Sequence, residues 1–100
     1  MARGARLTGT IAAGGTSEPF TPQLDRPIWL TLSGSWSGTV RLLRSTDAGV
    51  TKLPLTYGDG SPKPTWTGPM QAPVAEESVV GATYYLEFTG TGTLEYRMEQ

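Results

Sequence analysis

The side chains able to do acid–base or ligand chemistry in this 100-residue chain are carboxylates: Glu18, Asp25, Asp47, Asp59, Glu76, Glu77, Glu87, Glu95 and Glu99. No histidine is present to act as a base or metal ligand near neutral pH, and no cysteine to supply a thiolate, a disulfide or a sulfur ligand. Two-carboxylate hydrolysis needs a cleft wide enough for a sugar, and a domain of this size has little room for one beside its core. No serine stands in a nucleophile elbow, and Gly14-Gly15 and Gly58-Asp59-Gly60 lack both the spacing and the following helix of a phosphate loop. Asp47, Asp59, Glu76 and Glu77 could offer oxygens to calcium, but their spacing fits no calcium loop. Asp47 and Asp59 read instead as turn formers, and Glu76 and Glu77 as solvated loop charges. The expectation is a protein that is not an enzyme and holds no cofactor or metal.

What must position these groups is a single domain over residues 1–100, since the length leaves no room for a second core. Leu, Ile, Val and Phe are sparse, but 15 threonines, 3 tryptophans and 4 tyrosines, punctuated by 13 glycines and 8 prolines, suit pleated, half-buried strands. Four segments alternate with period two. Ile28, Leu30 and Leu32 oppose Trp29 and Thr31; Val40 and Leu42 oppose Thr39 and Arg41; Tyr84, Leu86 and Phe88 oppose Tyr85 and Glu87; Leu94, Tyr96 and Met98 oppose Glu95, Arg97 and Glu99. Weaker strands are predicted at Arg6–Ala12, Thr51–Thr56 and Ser78–Val80. No window has helical periodicity. The fold class is all-β, a single antiparallel β-sandwich, jelly-roll-like, with two long Gly/Pro-rich loops and residues 1–6 as a flexible arm.

The connections follow from turn chemistry. Ser45-Thr46-Asp47-Ala48-Gly49 has the Asp and Gly of a short hairpin loop. Setting Phe88 against Leu94 and Leu86 against Tyr96 predicts a C-terminal hairpin closed by Gly90-Thr91-Gly92. That register places Glu87 opposite Glu95, like charges that call for Arg97, a partner's basic group or a cation nearby. Pro54 marks its strand as an edge or a bulge. Residues 58–77 and Gly14–Pro27 read as long loops, anchored by Trp66 and Met70 in the first and by Phe20 and Leu24 in the second.

Eight basic and nine acidic residues are scattered along the chain, which leaves no electrostatic footprint for nucleic acid. No stretch reaches the roughly 20 apolar residues of a membrane helix, and Arg3 and Arg6 are followed by no secretory apolar run, so synthesis in the cytoplasm is expected. The functional hint lies in outward apolar residues. Alternation puts Trp29, Leu43 and Tyr85 on the face away from the core, where they mark a contact surface, a face covered by the long loops or a second sheet, or a glycan platform. Arg3 and Arg6 join this candidate interface as an arm that either orders against an acidic groove or a neighbouring sheet edge, or is a frayed tail without a role.

Ser35-Trp36-Ser37-Gly38-Thr39-Val40-Arg41-Leu42-Leu43-Arg44-Ser45-Thr46-Asp47-Ala48-Gly49 and the ending Gly92-Thr93-Leu94-Glu95-Tyr96-Arg97-Met98-Glu99-Gln100 resemble small β-sandwich virion proteins of tailed bacteriophages and prophages, of head decoration or head–tail accessory type. Those proteins tend to read as an apolar strand, then Gly-Thr-Val, an alternating strand ending in Arg-Ser, an Asp-Gly-Gly hairpin, and a closing Ser-Gly-Thr-Val with Tyr-Arg-Leu near the C-terminus. This chain departs from that pattern at Ala48, where glycine is usual, and at Leu43, where a polar residue is. The resemblance implies a non-enzymatic structural protein of the virion. It would be assembled in the host cytoplasm, dock on capsid or head–tail proteins, and act as a homo-oligomer. The alternative is a carbohydrate-binding β-sandwich module.

Overall fold

A computed structural model describes residues 6–55 and 65–100, and there the chain is all-β. The strands are β1 (Arg6–Ala12), β2 (Gly15–Thr16), β3 (Pro27–Ser45), β4 (Leu53–Pro54), β5 (Met70–Glu76) and β6 (Thr83–Glu99). They form one antiparallel sheet in the order β1-β6-β3-β4, with β2 also on β6 and β5 also on β3.

Two long strands carry the architecture. The core-facing parity of β3, Ile28, Leu30, Leu32, Val40 and Leu42, runs unbroken through Ser33–Thr39, and that of β6 runs from Tyr84 to Met98. The two pair continuously from Trp29↔Glu99 to Ser45↔Thr83. Straight, such a ladder would run about 53 Å at roughly 3.3 Å per residue. The longest dimension of the molecule is 38 Å, so the ladder bends. It bends around its even face, because Leu30, Leu32, Leu94 and Met98 from one half share a single core with Val40, Leu42, Leu86 and Phe88 from the other. The two apolar faces expected of separate sheets are therefore two walls of one sheet. β1 and β5 flank one wall. β2, β4 and the Phe20↔Tyr84 and Val40↔Trp66 bridges flank the other.

The C-terminal hairpin is corrected by this pairing. Gly90-Thr91-Gly92 is not a turn but the bend of β6, and Phe88 faces Val40 while Leu94 faces Gly34. At the bend Gly38 and Gly90 stand opposite each other, Gly38 with φ 135°. A Cβ on Gly38 would run into the Thr89 carbonyl, and one on Gly90 into the Ser37 carbonyl. Trp36 packs its ring edge-on against Phe88, centroids 5.5 Å apart, on the concave side.

Four further expectations change. Met70–Glu76, read as part of a long loop, is edge strand β5. Its Pro73 sits where the register shifts between Ile28 and Trp29, so the missing N–H falls at a bulge. Ser78–Val80 lies in the connection between β5 and β6 instead of a strand. β1 begins at Arg6, so Arg6 belongs to the sheet and not to an arm; Arg3 lies outside the described residues. Phe20 is buried as expected, Leu24 is exposed, and Pro54 is indeed at an edge.

Leu30 and Leu86 are fully buried on opposite walls of the core. Replacing either with alanine should cost about 2–5 kcal/mol in chemical denaturation. Losses below about 0.5 kcal/mol at both positions would mean that the even face is not the packed one.

Candidate docking surface

The candidate interface residues separate in three dimensions. Trp29 is 43% exposed, whereas Leu43 and Tyr85, expected beside it on the outer face, are buried at 4% and 6%. They are cross-strand partners, and the turn after β3 folds back over Tyr85. Lys52 Nζ lies 4.9 Å from the Tyr85 ring centroid, a cation–π contact. Gly49 lies against the Tyr85 hydroxyl, which also accepts a 3.3 Å hydrogen bond from Thr83 Oγ1. The apolar departure at Leu43 thus serves packing. Arg6 is exposed and paired with Glu99 at 3.5 Å, a contact worth less than about 1 kcal/mol at the surface.

Next to Trp29 the outer face stays open. Thr8 and Thr10 of β1, Glu95 and Arg97 of β6, and Thr31 and Ser33 of β3 line a shallow depression of about 360 Å³. The like-charge clash expected between Glu87 and Glu95 does not occur. Glu87 pairs with Arg41 and Glu95 faces Thr10 and Ser33, so neither a cation nor a partner's charge is called for.

The far end of the β3–β6 ladder is built differently. Glu77, read from sequence as a solvated charge, is buried at 3% exposure. Its Oε1 accepts from Arg44 Nε at 2.6 Å and from the Tyr84 hydroxyl at 2.9 Å. Its Oε2 accepts from Arg44 Nη2 at 2.8 Å and from the backbone N–H groups of Ser78 and Val79 at 3.1 and 3.0 Å. The cross-strand pair Arg44↔Tyr84 supplies the frame, and the carboxylate ties the β5–β6 connection to it. The Arg44 guanidinium, helped by the Tyr84 hydroxyl and the Val79 N–H and opposed by burial, holds the Glu77 carboxyl at a pKa of about 2. Burial first, then the neighbouring carboxylate, pushes the Tyr84 hydroxyl up to about 12. A carboxylate with five donors and so low a pKa is neither a base nor an acid near neutral pH. Its chemistry is structural.

The turn after β3 is fixed in the same manner. Ser45 Oγ donates to Asp47 Oδ1 at 2.7 Å and accepts from Gly49 N–H at 2.9 Å, and Asp47 Oδ1 also accepts from Thr51 N–H at 2.8 Å. The Ser45 hydroxyl, then the Thr51 N–H, holds the Asp47 carboxyl below its usual range. Ala48 takes φ 61° in this turn, the left-handed conformation that glycine would adopt more cheaply.

These two connections leave the ladder at its Ser45↔Thr83 end, and they carry the most exposed aliphatic side chains of the described residues. Val50 is 84% and Val80 83% exposed, with Leu53 and Val79 also open to solvent. By register Leu53 lies opposite Arg44. Sequence reading missed this apolar end because Val79 and Val80 read as strand residues and Leu53 as part of one. The signal available was Gly81 directly after Val79-Val80, which marks a turn. Among the described residues no three His, Cys, Asp or Glu side chains gather to hold a metal ion; Asp59 lies outside them. No family model matches the chain, and comparison with curated proteins and with solved structures finds no match.

Proposed function

We propose that this chain is a non-enzymatic structural protein of a tailed-bacteriophage or prophage particle, an accessory that seats on capsid or head–tail proteins and reinforces them by added contact area. The observation that carries the reading is the apolar end of the ladder. Val50, Val79 and Val80 project from connections braced by internal hydrogen bonds, Gly49 N–H to Ser45 and Ser78 N–H to Glu77, and Leu53 projects from β4 beside them. Exposed aliphatics held on pre-ordered turns lose little entropy on docking, so their burial is retained as binding energy. Repetition over a symmetric shell multiplies such modest contacts into firm attachment. The segments Ser35–Gly49 and Gly92–Gln100, which resemble virion β-proteins, support the same reading, and the saturated Glu77 and Asp47 support a role without catalysis.

The test is a mass-spectrometric inventory of particles purified from the organism that encodes the chain, run beside a Val50→Asp/Val80→Asp variant. The wild-type chain should be recovered with the particles. The variant should fold with an unchanged melting temperature yet fall at least about tenfold in recovery, a loss of roughly 1.4 kcal/mol per site. Absence of the wild-type chain from the particles would sink the proposal.

A carbohydrate-binding role is the second reading, favoured by exposed Trp29 beside the threonine and serine side chains of the open face. Binding to a polysaccharide that is lost in Trp29→Ala, without particle association, would favour it.

A further inference from the structure

Leu7-Thr8-Gly9-Thr10-Ile11 has the same chemical order in both directions: aliphatic, threonine, glycine, threonine, aliphatic. It occupies the middle of β1, which pairs with β6 along one side and has no partner along the other among the described residues. The other edges are guarded. β2 and β4 are two residues long, β4 ends in Pro54, and β5 carries Pro73 at a bulge. Prolines, bulges and brevity are the devices that keep sheet edges from pairing with other chains. β1 has none of them over seven residues, and its one charge, Arg6, is at its end.

We infer that β1 is a self-association edge, through which two copies of this chain pair antiparallel about a two-fold axis at Gly9. In that register Leu7 of one copy lies opposite Ile11 of the other on the concave face, and Thr8 opposite Thr10 on the outer face. Arg6 lies opposite Ala12, so no like charges meet. Aliphatic and threonine cross-strand pairs each stabilise an antiparallel ladder. An isologous contact requires such self-complementarity. Leu7, only partly buried in the single chain, gains a neighbour. Gly9 suits the dyad because the Tyr96 ring already occupies the place where a side chain on residue 9 would stand. The result is a continuous sheet across both copies. This inference does not rest on the proposed virion role, since it concerns the opposite end of the ladder.

A strand-edge contact of this length is small and therefore weak. Sedimentation equilibrium should be run up to about 100 µM, where the wild-type mass should approach twice the 10.7 kDa of one chain. Thr8→Lys/Thr10→Lys sets lysine opposite lysine across the dyad, and Thr8→Glu/Thr10→Glu sets glutamate opposite glutamate. Both threonines are exposed, and within one chain each faces Arg97 or Glu95, so either variant gains one favourable and one unfavourable neighbour. Each variant alone should keep the wild-type melting temperature and sediment as a single chain. An equimolar mixture of the two should recover the doubled mass. A monomeric wild type, an associating lysine variant, or a mixture that stays monomeric would overturn the inference. So would association that persists in both variants and disappears only when residues 1–5 are removed.

Discussion

Replacing Glu77 by alanine should destabilise the protein by about 3 kcal/mol. Removing one partner of a buried ion pair typically costs 3–5 kcal/mol because the other charge is left without compensation. Arg44, with its side chain 30% exposed, can recover some hydration, which places the effect at the lower end. The Tyr84 hydroxyl and two backbone N–H groups lose their acceptor as well. The same interaction predicts a pH dependence. Glu77 has a folded pKa of about 2 against an ordinary 4.5. A depressed carboxyl pKa contributes stability that is complete above the unfolded value and is lost as pH falls through the folded one. The wild-type protein should therefore lose up to about 3 kcal/mol between pH 5 and pH 2 from this group, at 1.36 kcal/mol per unit of pKa. The alanine variant should have a flatter profile over that window. Urea titrations of both proteins at several pH values read both quantities. Parallel profiles, or a loss under about 1 kcal/mol at pH 7, would contradict the assignment of Glu77 as the anchor of the β5–β6 connection.

Gly38→Val should be at least as damaging, about 3–5 kcal/mol, for a reason unrelated to burial. At φ 135° a β-branched residue is strained by about 1–3 kcal/mol, and its Cβ would enter the space of the Thr89 carbonyl on the paired strand. Both walls of the core depend on this ladder, so the strain cannot be relieved locally. Thermal unfolding should show a large drop in melting temperature or an unfolded chain. Thr39→Val, one residue away with no such constraint, should change stability by less than about 1 kcal/mol. A Gly38→Val protein as stable as wild type would mean that β3 and β6 do not run together through their glycines. The predicted hairpin closed by Gly90-Thr91-Gly92 would then be the better description.

The comparison of that hairpin with the observed ladder shows where sequence reading stops. Parity arguments required even-numbered residues of the segment 83–99 to face even-numbered apolar residues. Phe88 against Leu94 satisfies this, and so does Phe88 against Val40. Local patterning is blind to the choice, and glycines that permit a three-residue turn equally permit a bend. The decision rests on the summed pairing of both strands, in which β3 and β6 share one ladder and each keeps a second edge for a flanking strand. Once that pairing is chosen, Glu87 meets Arg41, and the apparent clash with Glu95 never arises.

What the amino-acid order determined by itself is local. The all-β class, the core identity of Ile28, Leu30, Leu32, Val40, Leu42, Leu86, Phe88, Leu94 and Met98, the Ser45–Gly49 turn and the edge position of Pro54 follow from period-two alternation and turn chemistry, which need no knowledge of distant residues. Which outer or charged groups are covered follows from how distant segments of the chain come together. Alternation assigned Leu43 and Tyr85 outward, yet both are buried, Tyr85 beneath the returning turn. Composition made Glu77 a loop charge, yet Arg44 and Tyr84, 33 and 7 residues away, enclose it. Burial depends on the approach of segments far apart in the chain, and that approach is set by the free energy of the whole ladder, not by any property of the residues that end up beneath it.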